Sequence, residues 1–565
     1  MSADKKFDVV LAWHMHQPEY RDLPSGRYQL PWTYLHAIKD YTDMAAHLEN
    51  WPDARVVVNF APLLLEQLAD YTQQIETFFR EGRPLRDPLL AALAQAVLPA
   101  AREERLALVR ACLRANDTRM IARFQPYQRL AEMARWLLSH PDGMAYVSEE
   151  YIVDLLMWYH LAWLGETVRR ADVRVRKLMD KASRFDLQDR RQLLELIGEL
   201  IANVVPRYKR LAQRGQVELS VTPYAHPMLP LLIDFESAHE ALPHAALPAV
   251  AHYPDGEERA RWHVREGVRV FEQHFGFRPT GCWPSEGGVS ERALRMLAQE
   301  GLHWAATGEG VLRNSLSRFG ELPPEKRDWL YRPYTLSEHS PRVFFRDDRL
   351  SDLIGFSYAT WHADDAVADL IAHLERVADA CEGHDGAVAS IILDGENAWE
   401  HYPENAYYFL NALYKRLSEH PRLRLTTFGD YAAATQPLRL LASGSWVYGN
   451  FSTWIGDVDK NRGWEMLCDA KRAYDTALPN LSEADRDVAQ RQLAVCEGSD
   501  WFWWFGDYNP SDTVSDFEGL YRRHLLNLYA ALRLEPPDYL GHTFTRGQGA
   551  PALGGAMRRS SDQTT

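Results

Sequence analysis

AVASIILDGENAWEHYP, residues 387–403, is the stretch on which the fold turns. Seven small or aliphatic residues run without a break into Asp394-Gly395-Glu396-Asn397. An apolar run of that length, with little alternation, suits a strand buried on both faces of a parallel sheet. The acidic residues then fall at its C-terminal end, the rim on which α/β barrels build catalysis. Gly395 is expected to let the backbone turn sharply between the two carboxylates. Trp399, His401 and Tyr402 follow, giving flat surfaces with polar edges. Acids beside aromatic rings suit a sugar: rings cover its apolar face and acids move protons. A plain helix cap explains the same residues, because Asp before a helix is common.

Working outward, residues 7–13 read as the first buried strand, ending in His14-Met15-His16-Gln17-Pro18. Residues two apart on a strand point the same way, so His14 and His16 share a face. They could bind a metal or line a polar pocket. No further His or Cys stands nearby at ligand spacing, so no metal set is expected. VVVNF, within residues 55–60, is a second strand. Residues 63–209 repeat apolar positions at helical spacing and read as a helical insertion, too long for one crossover.

The stretch 215–230, GQVELSVTPYAHPMLP, gives a short strand, then a proline-rich loop with Tyr224 and His226. Glu218 lies inside that strand. A carboxylate there either points into a polar barrel mouth or marks an edge strand facing water. Residues 278–288, RPTGCWPSEGG, place Glu286 at a strand-to-helix junction beside Trp283, with glycines that permit close approach of a ligand. A strand over 303–307, another from 341 with Arg349 beyond it, and RLRLTTF before 430 continue the alternation. Strands alternating with helices from residue 7 to about 435 argue an α/β fold. Candidate acids at several strand ends favour a barrel over an open sheet. No GxGxxG follows the first strand, which weakens a Rossmann reading. Residues 436–540 read as a C-terminal helical domain, carrying the aromatic block Asp500-Trp501-Phe502-Trp503-Trp504 towards the cleft. The Gly-, Ser- and Thr-rich tail, 541–565, reads as disordered.

Composition narrows the partners. A formal net charge of -15 disfavours nucleic acid. Five scattered cysteines without CxxC spacing argue against a disulfide framework or structural zinc and favour a reducing compartment. The N-terminus lacks a signal-peptide pattern and no apolar run nears the ~20 residues of a membrane span. A cytoplasmic protein without cofactor is the expectation. Eighteen tryptophans fit carbohydrate stacking and fit a large core equally.

Glu286 and Asp394 thus end separate strands. A pair of carboxyls is what glycosidic cleavage needs, one to protonate the leaving oxygen and one to attack or to activate water. Glu396, two residues on, is a like charge that could keep Asp394 protonated. No GxSxG elbow is present, which disfavours acyl transfer of the α/β-hydrolase kind.

Five segments in order resemble family 57 glycoside hydrolases of the α-amylase and amylopullulanase type. They are HMHQP at 14–18, the stretch 215–230, GCWPSE at 281–286, LDGENAWE at 393–400 and GSDWFWW at 498–504. The resemblance implies a (β/α)7 barrel with a C-terminal helical domain and a retaining mechanism on α-linked glucans. It places Glu286 on the family's nucleophile and Asp394 on its acid/base. His16, Glu218, Glu396 and Asp500 fall on supporting positions, and Trp503 and Trp504 would shape sugar subsites. His14, His226, Trp283, Arg349 and Trp399 complete the expected substrate-binding set. Retention implies carboxyl groups about 5–5.5 Å apart. Rival readings are a 4-α-glucanotransferase or branching enzyme using the same pair, a metal-dependent hydrolase of the α-mannosidase type built on His14 and His16, and a glucan-binding protein without turnover.

Overall fold

The apolar run is a strand, Val388–Asp394, buried along all but its last residue, in a computed structural model that describes residues 6–431 and 433–560. It is the last of seven strands that close into a ring: β1 (Phe7–Met15), β2 (Val56–Phe60), β3 (Val217–Val221), β4 (Gly281–Cys282), β5 (Trp304–Gly308), β6 (Arg342–Arg346) and β7 (Val388–Asp394). Each pairs in parallel with the next, and β7 pairs with both β6 and β1. An eighth strand, β8 (Leu423–Thr426), adds to the N-terminal half of β1. Helices surround the ring, so the protein is an α/β (β/α)7 barrel.

Period-two alternation sorts the strand side chains. Val10, Ala12, Val57, Trp304, Phe344, Val388 and Ile392 pack into one buried cluster, the barrel interior. Val9, Leu11, Trp13, Ile391 and Leu393 belong to the larger core under the helices. Continuing the inward phase upward brings His14, Asn59, Thr222, Trp283, Arg346 and Asp394 to the C-terminal mouth. Register confirms a common height: His14 pairs with Asp394 on one side and Asn59 on the other. The interior is therefore oily below and polar at the rim.

The stretch between β2 and β3 is helical, from Pro62–Glu81 to Leu187–Gln213. After β8 come the helices Val458–Ala477, Glu483–Cys496, Ser499–Trp504 and Ser511–Ala531. Among the described residues no helix is long and apolar enough to cross a membrane.

Residues 541–560 depart from the expected disorder. Gln548 donates its backbone N–H to Asp507 O at 2.8 Å, and Gly549 donates to Asn509 O at 3.1 Å. The Thr545 hydroxyl donates to Asp459 at 2.7 Å. A Cβ on Gly547 or Gly549 would strike the carbonyls of Asn509 and Tyr508. These glycines serve close backbone contact, which composition alone reads as flexibility. The remainder of that tail, residues 561–565, lies outside the described residues.

Candidate active site

Asp394 ends β7 pointing inward, and its Oδ2 accepts from Asn397 Nδ2 at 2.9 Å. Gly395 donates its backbone N–H to His14 O at 2.7 Å, stitching the turn to β1. Gly395 has no left-handed backbone; a Cβ there would collide with the Met15 sulfur. Its smallness is thus a packing requirement, where the sequence suggested a turn. Glu286 lies in the short turn Ser285–Gly287 just after β4, with φ at 56°. A non-glycine residue in that region carries strain of roughly 1–3 kcal/mol, which clusters at working sites. Trp446 holds it there: its backbone N–H donates to Glu286 O at 3.2 Å and its indole Nε1–H to Glu286 Oε2 at 3.1 Å. Both acids line one cleft, together with His14, His16, His226, Glu396, Asp500, Trp503 and Trp504.

The three histidines form an ordered stack. Asn59 Oδ1 lies 2.7 Å from His14 Nδ1, His14 Nε2 lies 3.1 Å from His226 Nε2, and His226 Nδ1 lies 2.8 Å from the Ser499 hydroxyl. An amide oxygen only accepts, so His14 Nδ1 carries hydrogen and its Nε2 accepts from His226. Burial favours this neutral pair. It drives His14 down to about 3 and His226 well below the ordinary histidine range, with the neighbouring His16 adding to both. His16 stacks on His226 with centroids 3.7 Å apart, and its Nε2 lies 2.7 Å from Asp500 Oδ1. Ring nitrogens of the three stand within 4.8 Å of one another. The rings are nearly parallel, at 13–18°. In-plane lone pairs of stacked rings do not converge on a point, so the set fits a hydrogen-bonded wall better than a metal site.

Burial raises the acids. It lifts Asp394 to about 6, against the pull of Asn397, His16 and Arg346, while Asp500 adds a like charge. Glu286 rises well above its ordinary range, by burial first and then by repulsion from Asp394 and Asp500. Trp446 and Ser499 oppose that rise by hydrogen bonding to the charged form. Glu396 is raised by burial and by Asp394. Its Oε1 accepts from the His16 N–H at 3.3 Å and Gln17 Nε2 at 3.2 Å, whereas Oε2 has no partner. Repulsion between Glu396 and Asp394 is mutual, so it disfavours both carrying charge at once, on top of the burial that raises each.

Four expected site residues, Glu218, Trp283, Arg349 and Trp399, do not line the cleft. Glu218 is on neither a water-facing edge strand nor the barrel mouth; it faces inward near the start of β3, opposite Val57 and below the mouth. Its carboxyl accepts from Trp304 Nε1 at 2.7 Å, Thr280 at 3.0 Å and the Gly429 N–H at 2.8 Å, closing the barrel floor. Trp399 is fully buried, edge-on to Trp13 at 5.6 Å, and donates to Gly395 O at 2.8 Å. It braces the Asp394 loop from behind. Arg349 borders a separate surface depression with Glu309 and Lys326. Three residues earlier, Arg346 takes the inward place at the end of β6, over the Trp446 ring and bonded to Asp348 and Asp352. Trp283 sits beneath the cleft, edge-on to Trp446 at 5.3 Å. Trp446 and Ser499 went unrecognised. The Gly- and Trp-rich run around 444–456 carries nothing that ties Trp446 to Glu286, and the glycine that lets the Trp446 backbone approach, Gly308, stands at the end of β5.

The model of "Glycosyl hydrolase family 57" matches residues 10–442. Among solved structures, the fold is similar to a family 57 branching enzyme from Thermococcus kodakaraensis, at 15% identity and TM-score 0.56, covering 93% of this chain and 89% of that one. It is also similar to the α-amylase AmyC from Thermotoga maritima, at 16% identity and TM-score 0.56, covering 95% and 96%. A 4-α-glucanotransferase from Thermococcus litoralis matches at 12% identity and TM-score 0.52, covering 94% of this chain and 61% of the other.

Proposed function

Because the chain belongs to glycosyl hydrolase family 57, we propose that it cleaves α-glucosidic bonds of starch- or glycogen-type chains with retention of configuration. Glu286 attacks the anomeric carbon and forms a glycosyl-enzyme, while Asp394 gives its proton to the leaving oxygen. Asp394 then takes a proton from the incoming water, which releases the sugar and restores both carboxyls. The observation that supports this most is the meeting of two acids from separate strand ends in one cleft, each raised by burial and one repelling the other. Trp446 holds the proposed nucleophile from one side, and Trp503 and Trp504 supply flat surface for sugar rings.

A transferase reading has its own support. Trp32, Trp163, Trp503, Trp504 and Phe517 line the same cleft, and apolar walls favour a bound sugar hydroxyl over water as acceptor. Incubation with amylose, pullulan and maltooligosaccharides separates the two: reducing ends accumulate only with hydrolysis, and chain lengths redistribute with transfer. Glu286→Gln should lower kcat on every glucan by about 10⁴-fold or more, while Asp394→Asn should cripple glucans yet spare the first step on sugars with activated leaving groups. Wild-type turnover in Glu286→Gln refutes the nucleophile, and equal losses on both substrate types refute the acid.

A further inference from the structure

The chain's last described residues reach the cleft. At Leu553, Gly554 and Gly555 three successive left-handed residues, with φ of 52°, 67° and 82°, reverse the backbone. Leu553, Gly554 and Ala556 border the cleft beside Trp504. The Trp503 indole donates to Gly555 O at 2.9 Å, and the Arg558 guanidinium sits over the Trp503 and Tyr508 rings. From there the chain crosses to the barrel. Ser560 donates its backbone N–H and hydroxyl to Asp352 Oδ2, at 2.9 and 2.6 Å. Asp352 Oδ1 in turn accepts from Arg346 at 2.9 Å. Residues 553–560 therefore span from the C-terminal helices to the barrel rim. Beneath the crossing lies a narrow crevice bounded by Arg346, Phe356, Asp394 and Trp503 and by residues 556–560. Trp32, His36 and Trp163, which line the main cleft, do not border it.

We propose that residues 553–560 form a strap that closes the cleft on the Asp394 side, so that one end of a linear α-glucan abuts it and cleavage falls at a set distance from that end. The proposal rests on the α-glucan reading above and adds where on the chain the enzyme acts. A glucan threading past Asp394 on that side would have to displace the strap and its two hydrogen bonds to Asp352. An open groove has no such stop and admits internal bonds.

The test uses maltoheptaose blocked at the non-reducing end, maltoheptaose blocked at the reducing end, and the unblocked sugar. The full-length chain should discriminate against one of the two blocked sugars by about tenfold or more, since a filled pocket rejects added bulk at that scale. A chain ending at Ala552 should cleave both blocked sugars within about threefold of each other. Ser560→Asp sets a like charge against Asp352 and releases the strap without deleting it. It should relax the same discrimination, with trypsin cutting after Arg558 and Arg559 about tenfold faster, as local opening predicts. Equal cleavage of both blocked sugars by the full-length chain, or unchanged discrimination in both variants, overturns the strap alone. Absence of turnover on all three sugars overturns the underlying reading as well.

Discussion

Glu286 and Asp394 pose a proton-counting problem. The proposed cleavage asks the first to be ionised and the second protonated, yet burial raises both and their repulsion disfavours a doubly charged pair. Carboxyls that repel one another titrate as a pair, and turnover needs the singly protonated state with its proton on the carboxyl that meets the leaving oxygen. At low pH both carboxyls are protonated and no nucleophile remains. At high pH both ionise and no acid remains. The expected kcat/KM profile is bell-shaped, with both limbs above the ordinary carboxylate value of about 4. Trp446→Phe removes a donor to the charged form of Glu286, so the acidic limb should move to higher pH. A limb that stays at or below about 4 in both proteins contradicts the burial argument. That both acids stand at strand ends was legible in the sequence, since Asp394 follows an apolar run and Glu286 sits between a tryptophan and paired glycines. Trp446 was not. Its partner stands 160 residues earlier in the chain, and no local pattern links the two.

At the level of single elements, strand phase separates what was read correctly from what was not. His14, Glu218 and Asp394 lie on the inward phase of β1, β3 and β7, but a period of two says nothing of height. Glu218 stands near the start of β3, about 10 Å below the rim at 3.3 Å per residue. There it satisfies three donors rather than a sugar. Glu218→Ala should leave the buried Trp304 indole unpaired and cost about 1–3 kcal/mol, seen as a lower Tm, with KM and the pH profile unchanged. A changed pH profile at unaltered Tm would return Glu218 to the site. The Arg349 expectation failed for a related reason. Residues just past β6 wind into the helix Asp348–Asp352, which turns Arg349 outward, whereas Arg346 keeps the strand's inward phase. Trp399 was chosen for chemistry that suits a sugar and suits a core equally, and only packing against Trp13 decides between them.

Across the whole molecule, the cleft depends on how the C-terminal helices meet the barrel. Glu497, fully buried, accepts from Arg259 at 2.6 and 2.8 Å, from Tyr253 at 2.6 Å and lies 2.7 Å from His263 Nε2. This junction stands just before Ser499 and Asp500, so it sets where they enter the cleft. Its partners hold the Glu497 carboxyl well below the ordinary range, Arg259 first, against the cost of burial. A depressed carboxyl contributes stability above its unfolded value of about 4.3, and that stability is lost as pH falls through the folded value. Glu497→Gln should cost about 3–5 kcal/mol by leaving Arg259 buried without its counter-charge, and should flatten the loss of Tm on acidification. An unchanged acid dependence of Tm would remove the junction from that role. Fold class and barrel were legible because buried parallel strands write themselves as apolar runs. The ordered tail was not, because glycine spells both looseness and intimate backbone contact.

The crossing from Trp503 to Asp352 has a practical side. Ser560 is hydrogen-bonded to the carboxylate that also holds Arg346. A bulky label attached at position 560 would therefore sit at the edge of the substrate channel, beside Asp352, and preparations labelled there should differ in apparent specificity from preparations labelled elsewhere on the surface.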